Sequence, residues 1–485
     1  MERVRIGLTG AVHPNMPGDD TGLYATVIDR MTALSSALGF DLSVFREPLH
    51  SEDDGRKARD FMDGEKVDFT LLFHASLPYG RVILPLARVR SRLGLWSVPE
   101  PTRNGVLQLN SFCGTNMLGS IVGNYLRAHR IPYKWFYGLP GSEQFLERFR
   151  VTLRALQALK RLSSARVAQI GGLADGFENL YVDERLLEAR FGTALQTRYT
   201  VEEIVQRAEK IPEREVAADV KDFRGEGALD ARILRDEHVE RSSRVFLALR
   251  DFARENGYDA LAVSCWSRFQ QVYGVAVCAA MSRLNQLGVV APCEGDVTSA
   301  VMMLALNAMN GSRASLNDLV AFDEGDRSMN LWHCGVAPAC WADARGVTWD
   351  AHFNIGRHAG ETWQGDGVVA SMGFKPGSVT VAALGDRFDS LFLLTGEVME
   401  KAGYAGSSGW VHKLALNGTP VDLPTLMNTI LTCRVNHHYP TAFGDLTAEL
   451  NELAAWSGIS VLEPVAYRPY LQNPLPPPWP RADTT

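Results

Sequence analysis

Apolar strand-like runs alternate with amphipathic helical runs from the first residues to about position 310, and this alternation limits the fold more than any other feature of the chain. Strands separated by helices cannot pair as hairpins, so they stack as parallel sheets with helices on both faces. Arg3 to Thr9 reads as a first strand and Thr21 to Leu38 as the helix behind it; Phe40 to Phe45, Phe69 to Phe73 and Gly94 to Val98 continue the pattern. Ser142 to Leu162 is a long amphipathic helix, after which Arg166 to Gly172 opens the pattern again as a new first strand with a glycine turn. Beyond Gly311 the texture changes to turn-punctuated β segments, with Val379 to Ala383 and Ser390 to Leu394 forming a hairpin around Gly385 to Asp389. The expected architecture is α/β: two doubly wound parallel-sheet domains, residues 1–160 and 161–310, followed by a mostly antiparallel β-barrel domain, 311–485. That third domain ends in a helix from Asp445 to Gly458 and a proline-rich tail, Pro474 to Pro480, which reads as a segment laid over a surface.

Composition excludes several classes of function. A chain of 485 residues exceeds a single core, and a net charge of −7 with scattered lysines and arginines leaves no footprint for nucleic acid. No apolar run approaches the ~20 residues needed to cross a bilayer, so no membrane partner is expected. Met1-Glu2-Arg3 leads directly into a strand, and the seven cysteines lack paired short spacings; both suit a cytoplasmic protein with reduced thiols. Gly171-Gly172 follows a strand but lacks the Gly-x-Gly-x-x-Gly spacing, and a tight strand-to-helix turn accounts for it.

The segment from Cys293 to Gly335 carries the chemistry. Glu294 follows the short apolar run Gly288 to Pro292, so its carboxylate projects from a strand end. Asp296 reads as the cap of the helix Val297 to Met309, closed by Gly311. Asp318 stands after a further turn, and Trp332-His333-Cys334-Gly335 ends the stretch. Two carboxylates about a helix apart, each at the end of an element, can converge on one cation. Oxygen ligands with one or two imidazoles, and no cysteine cluster, suit Mn²⁺ or another hard divalent cation such as Mg²⁺ better than structural zinc. Cys293 and Cys334 read as small packing residues.

Cys293-Glu294-Gly295-Asp296-Val297, the helix with Met302-Met303, Asn310-Gly311, Asp318 and Trp332-His333-Cys334-Gly335 resemble the L-fucose isomerase family, which shares its fold with L-arabinose isomerase. Asn436-His437-His438-Tyr439, followed by Phe443-Gly444-Asp445 and a helix, resembles the family's downstream ligand segment. Phe73-His74-Ala75-Ser76, Trp96 to Pro101 and Val263-Ser264-Cys265-Trp266 agree more loosely. The resemblance implies that Glu294 and Asp318 bind the metal and serve as the acid–base pair, with His437 as third ligand. His333 resembles the additional metal histidine of arabinose isomerase. Trp332, Asn436, His438 and Tyr439 adjoin these ligands and are candidates for holding the sugar. Trp96, with Glu100 and His13, is a candidate contributor from a first domain, because in the family each site borrows residues from a neighbouring subunit. A homo-oligomer, with a hexamer favoured, is implied.

The expected function is therefore metal-dependent aldose–ketose isomerisation of a free sugar through an enediolate. A metal-dependent aldolase or epimerase would use the same ligands, and a non-catalytic sugar-binding protein would share the doubly wound domains. His412-Lys413 and Arg434 are candidates for an anionic group such as a sulfonate or phosphate on the substrate.

Overall fold

The computed structural model describes residues 3–13, 15, 22–230, 236–265, 268–352 and 367–472; Trp266 and the proline-rich tail lie outside them. The chain divides into two compact units, Met1–Lys160 and Arg161–Thr485, so the stretches expected as second and third domains belong to one unit.

The first unit holds one five-stranded parallel sheet: β1 (Arg5–Ala11), β2 (Asp41–Leu49), β3 (Phe69–His74), β4 (Arg92–Ser97) and β5 (Tyr133–Tyr137), in the order β2-β1-β3-β4-β5. The central strand β3 reads FTLLFH and is buried along its whole length, as a strand covered on both faces must be. The helix Glu52–Gly64 starts with a capping box in which Ser51 and Asp54 satisfy each other's backbone N–H groups. Trp96 on β4 is fully buried, its ring stacked on Phe145 and its indole N–H donating to the Gly138 carbonyl. This corrects the expectation that Trp96 meets a sugar: its face and its donor are both already used inside this core. Glu100 accepts from the backbone N–H groups of Gln108, Leu109 and Asn110, which fixes its own loop.

The second unit opens with a short parallel sheet, β6 (Arg166–Ile170), β7 (Ala194–Tyr199) and β9 (Ala260–Val263), ordered β7-β6-β9. Between β7 and β9 lies the short strand β8 (Ala228–Leu229). The apolar run before Glu294 extends the sheet through a single parallel bridge, Ala260↔Val290. The helix Val297–Asn310 then runs to Gly311, whose left-handed conformation closes it on the Asn307 carbonyl.

The rest is a mixed, mainly antiparallel sheet built from β10 (Asp318–Asp323), β11 (Ser328–His333), β12 (Thr348–Ala351), β13 (Val368–Gly373), β14 (Gly377–Leu384), β15 (Ser390–Met399), β16 (Ser407–Leu416), β17 (Thr419–Pro420), β18 (Thr441–Phe443) and β19 (Ser460–Val461), with β8 at one end. β14 and β15 form the expected hairpin. The ladders draw no closed barrel among the described residues. Two isolated bridges, Ser315↔Thr441 and Asp318↔His438, carry hydrogen bonding from the approach to β18 across to the start of β10. Phe392, Trp341, Trp349 and Val381 lie in the core cluster that covers one face of this sheet. No helix among the described residues is long and apolar enough to cross a membrane.

His74 ends β3 fully buried, with Nδ1 2.6 Å from Thr115 Oγ1, and burial lowers its pKa from 6.5 to about 3. A histidine buried neutral stabilises the fold above its unfolded pKa, and that stabilisation is lost as pH falls through the folded value. Wild type should therefore lose stability relative to His74→Gln as pH is lowered from about 6.5 toward 3. Urea midpoints at stepped pH measure this, and parallel curves for the two proteins would refute it.

Candidate functional site

Glu294 has a positive φ of 62°, and Gly295 after it has φ of 76°. A left-handed non-glycine residue costs roughly 1–3 kcal/mol and persists only where its surroundings impose it. Here Gly295 N–H donates to the Val263 carbonyl at 3.0 Å, Gln169 Nε2 donates to the Gly295 carbonyl at 2.8 Å, and Ala174 N–H donates to the Glu294 carbonyl at 3.2 Å. A Cβ on Gly295 would stand 2.2 Å from the Gly172 carbonyl oxygen. The glycine turn after β6 is thus the surface that presses the Glu294 turn into shape.

Asp296 does two things with its two oxygens. Oδ1 accepts from Ser299 N–H and caps the helix, as expected from sequence, while Oδ2 lies 2.8 Å from His438 Nδ1. A carboxylate only accepts, so His438 donates from Nδ1 and its Nε2 faces inward. That Nε2 lies 3.3 Å from Glu294 Oε2 and 3.7 Å from Asp318 Oδ1. The Asp318↔His438 bridge sets this approach from the backbone.

His437, the neighbouring residue, has the opposite polarity. Asn179 Nδ2 donates to its Nδ1 at 3.0 Å, so the neutral ring carries its proton on Nε2, 3.2 Å from Glu294 Oε2. Phe177 stacks on this ring at 5.5 Å. The His437 side chain is 37% exposed and that of His438 1%. His333, at the end of β11, is buried, with Nδ1 accepting from Cys334 N–H at 2.9 Å and lying 3.2 Å from Cys334 Sγ.

Three inward-facing atoms, His438 Nε2, Asp318 Oδ1 and His333 Nε2, are buried without a hydrogen-bond partner. Donor atoms of Asp318, His333 and His438 all lie within 4.8 Å of one another, as do those of Glu294, His437 and His438. Orphaned polar atoms are expensive to bury, and their convergence is what a cation site requires. Oxygen and imidazole donors suit a hard or borderline divalent cation.

The charges here are strongly coupled. Burial raises Glu294, but the hydrogen bond from His437 and the close approach of the His438 and His333 imidazoles outweigh it and lower its pKa to about 2. For Asp318 burial prevails and raises the pKa. His333 is lowered by burial and raised more strongly by Cys334 and Asp318, to about 9; His438 rises well above its usual value because Asp296 and Glu294 outweigh its burial.

The structure therefore brings together Glu294, Asp318, His333, His437 and His438. Trp332 borders them, its indole N–H donating to the Ala405 carbonyl at 2.6 Å and its ring stacked on His333. Asn436 is half-buried next to His437, whereas Tyr439 is buried with its ring against Phe392. His412 and Lys413 face Glu397 across the β15–β16 pair. Asn179 and Phe177 were not legible beforehand, since they stand in and just before the short 3-10 turn Glu178–Leu180, Asn179 being 258 residues from His437, with no motif around them. Asp296 was legible only as a cap. The cysteines were expected not to cluster; Cys278 and Cys334 nevertheless meet with their sulfurs 3.6 Å apart.

Residues 182–312 match the L-arabinose isomerase central domain. The chain is 26% identical over 400 residues to a sulfoquinovose isomerase from Priestia aryabhattai, covering 81% of this chain and 85% of that protein. It is 28% identical over 381 residues to the sulfoquinovose isomerase of Alkalicoccus urumqiensis, covering 76% and 80% respectively. Together these indicate an aldose–ketose isomerase, an intramolecular oxidoreductase. They do not single out the L-fucose isomerase member that the motifs resemble.

Gly295→Ala should lower the melting temperature more than Gly311→Ala. Gly311 also has positive φ but open space around it, so its substitution costs only the left-handed penalty of about 1–2 kcal/mol. Calorimetry of both variants tests this, and equal shifts would mean that the Gly172 loop simply yields.

Proposed function

We propose that this chain is a divalent-cation-dependent isomerase of a free aldose, with sulfoquinovose, a sulfonated aldose named by the relatives, as the first substrate to try. The observation that carries the reading is the convergence of unpartnered His438 Nε2, Asp318 Oδ1 and His333 Nε2 beside Glu294.

Glu294, Asp318 and His438 would hold the cation, Mn²⁺ or Mg²⁺ by donor chemistry, with His333 as fourth ligand. When bound, such a cation supplies Lewis-acid stabilisation to the oxyanion that develops as the sugar enolises. His438 replaces His437 in the ligand set implied by resemblance, because Asp296 accepts a hydrogen bond from His438 Nδ1–H and leaves Nε2 to bind. For His333 to bind through Nε2, its Nδ1 would have to give up the Cys334 N–H and donate to Cys334 Sγ instead.

The reaction moves one proton from C2 to C1 and a second from the C2 hydroxyl to O1. Glu294, whose carboxylate is kept ionised by its imidazole neighbours, takes the carbon-bound proton and returns it to the adjacent carbon. Asp318 handles the hydroxyl proton. His437, with Nε2–H directed at Glu294, orients that carboxylate and is exposed enough to reach the sugar. Trp332 and Asn436 are candidates to flank the substrate. The anion-holding role considered for His412 and Lys413 has less support, since Glu397 already pairs with both.

Glu294→Gln should cut turnover by roughly 10²–10⁴-fold, the usual worth of a proton-transfer group, and abolish solvent deuterium uptake at the transferred position. His438→Ala should lose metal by elemental analysis, whereas His437→Ala should keep metal and lose turnover. Metal loss in His437→Ala with retention in His438→Ala would reverse the assignment, and carbon–carbon cleavage products would replace the isomerase reading with an aldolase.

A further inference from the structure

Four of the seven cysteines gather beside the carboxylate site, although they stand at four separate places in the sequence. Cys265 follows β9, Cys278 opens the helix Cys278–Leu287, Cys293 precedes the Glu294 turn, and Cys334 follows β11. Cys278 and Cys334 lie sulfur to sulfur at 3.6 Å. The Cys293 sulfur lies within 4.8 Å of that of Cys334, with Cys265 beside it. Donor atoms of Cys278, Cys334 and His352 lie within 4.8 Å of one another, and so do those of Cys293, His333 and Cys334.

Small apolar packing would explain buried thiols singly, but the spacing is also that of ligands. Two sulfurs each bound at ~2.3 Å to one tetrahedral cation stand roughly 3.8 Å apart. The donors are sulfur with nearby imidazole, so the site would select thiophilic cations and reject the hard cations that the carboxylate site favours. Cys334 connects the two: its Sγ is 3.2 Å from His333 Nδ1.

We propose that Cys278, Cys334 and His352 form a second cation site that takes Zn²⁺ or Cd²⁺, and that filling it inhibits the enzyme by withdrawing the Cys334 sulfur from His333. Each thiol that binds releases its proton to solvent and undergoes no redox change. The inhibition rests on the catalytic reading above, whereas the binding does not.

Cadmium added to the manganese-loaded chain carrying C113S and C340S, which removes the two exposed thiols, gives the test. Ultraviolet thiolate-to-cadmium absorption should saturate at one cation per chain, with activity falling in step. Adding Cys278→Ser should retain turnover without cadmium and weaken cadmium binding at least tenfold. Cadmium NMR of the parent chain reads the sulfur count without any cysteine in the cluster being changed, so a poorly folded Cys278→Ser does not obstruct the answer. A resonance in the range of oxygen and nitrogen ligands, no absorption at stoichiometric cadmium, or undiminished binding in Cys278→Ser would overturn the site. Full absorption with unchanged activity would overturn the inhibition alone.

Discussion

The site depends on one contact between backbones: Gly295 pressed against the Gly172 carbonyl. The contact leaves no room for a side chain, so it fixes where the Cys293–Asp296 turn can lie, and Glu294 accepts a left-handed conformation as a result. The strain is paid for by hydrogen bonds from Gly295, Gln169 and Ala174, none of which involves the Glu294 carboxylate. Both carboxylate oxygens are therefore left for the imidazoles and for chemistry.

The same economy is repeated at His437 and His438. The two adjacent rings lie 4.2 Å apart and both bring Nε2 to Glu294, yet each is completed behind by a different partner: an amide nitrogen that donates and a carboxylate oxygen that accepts. Those partners give two identical side chains opposite polarities toward one glutamate. Asp296 then serves the helix and the histidine together, because a carboxylate has an oxygen for each.

Much of this was readable in the chain. The helix from Val297 to Gly311, the hairpin at Gly385–Asp389 and the strand alternation all follow from local rules, and local rules survive folding. Glu294, Asp318 and His333 could be named because motifs surround them. Choosing between His437 and His438 was beyond sequence, since the choice lies in what stands behind each ring. Trp96 shows the converse: an aromatic beside a suggestive motif had its face taken by Phe145. The cysteine gathering was invisible for a related reason, since proximity among four separate segments leaves no spacing signature.

The histidine that meets Glu294 is 143 residues away along the chain. Closing a loop of that length costs entropy before any contact rewards it, so the pair forms late. A folding chain can thus complete its parallel sheet while its carboxylates still lack imidazoles, and the Glu294 turn gains its histidine partners only when the C-terminal strands find the turn made by the middle of the chain.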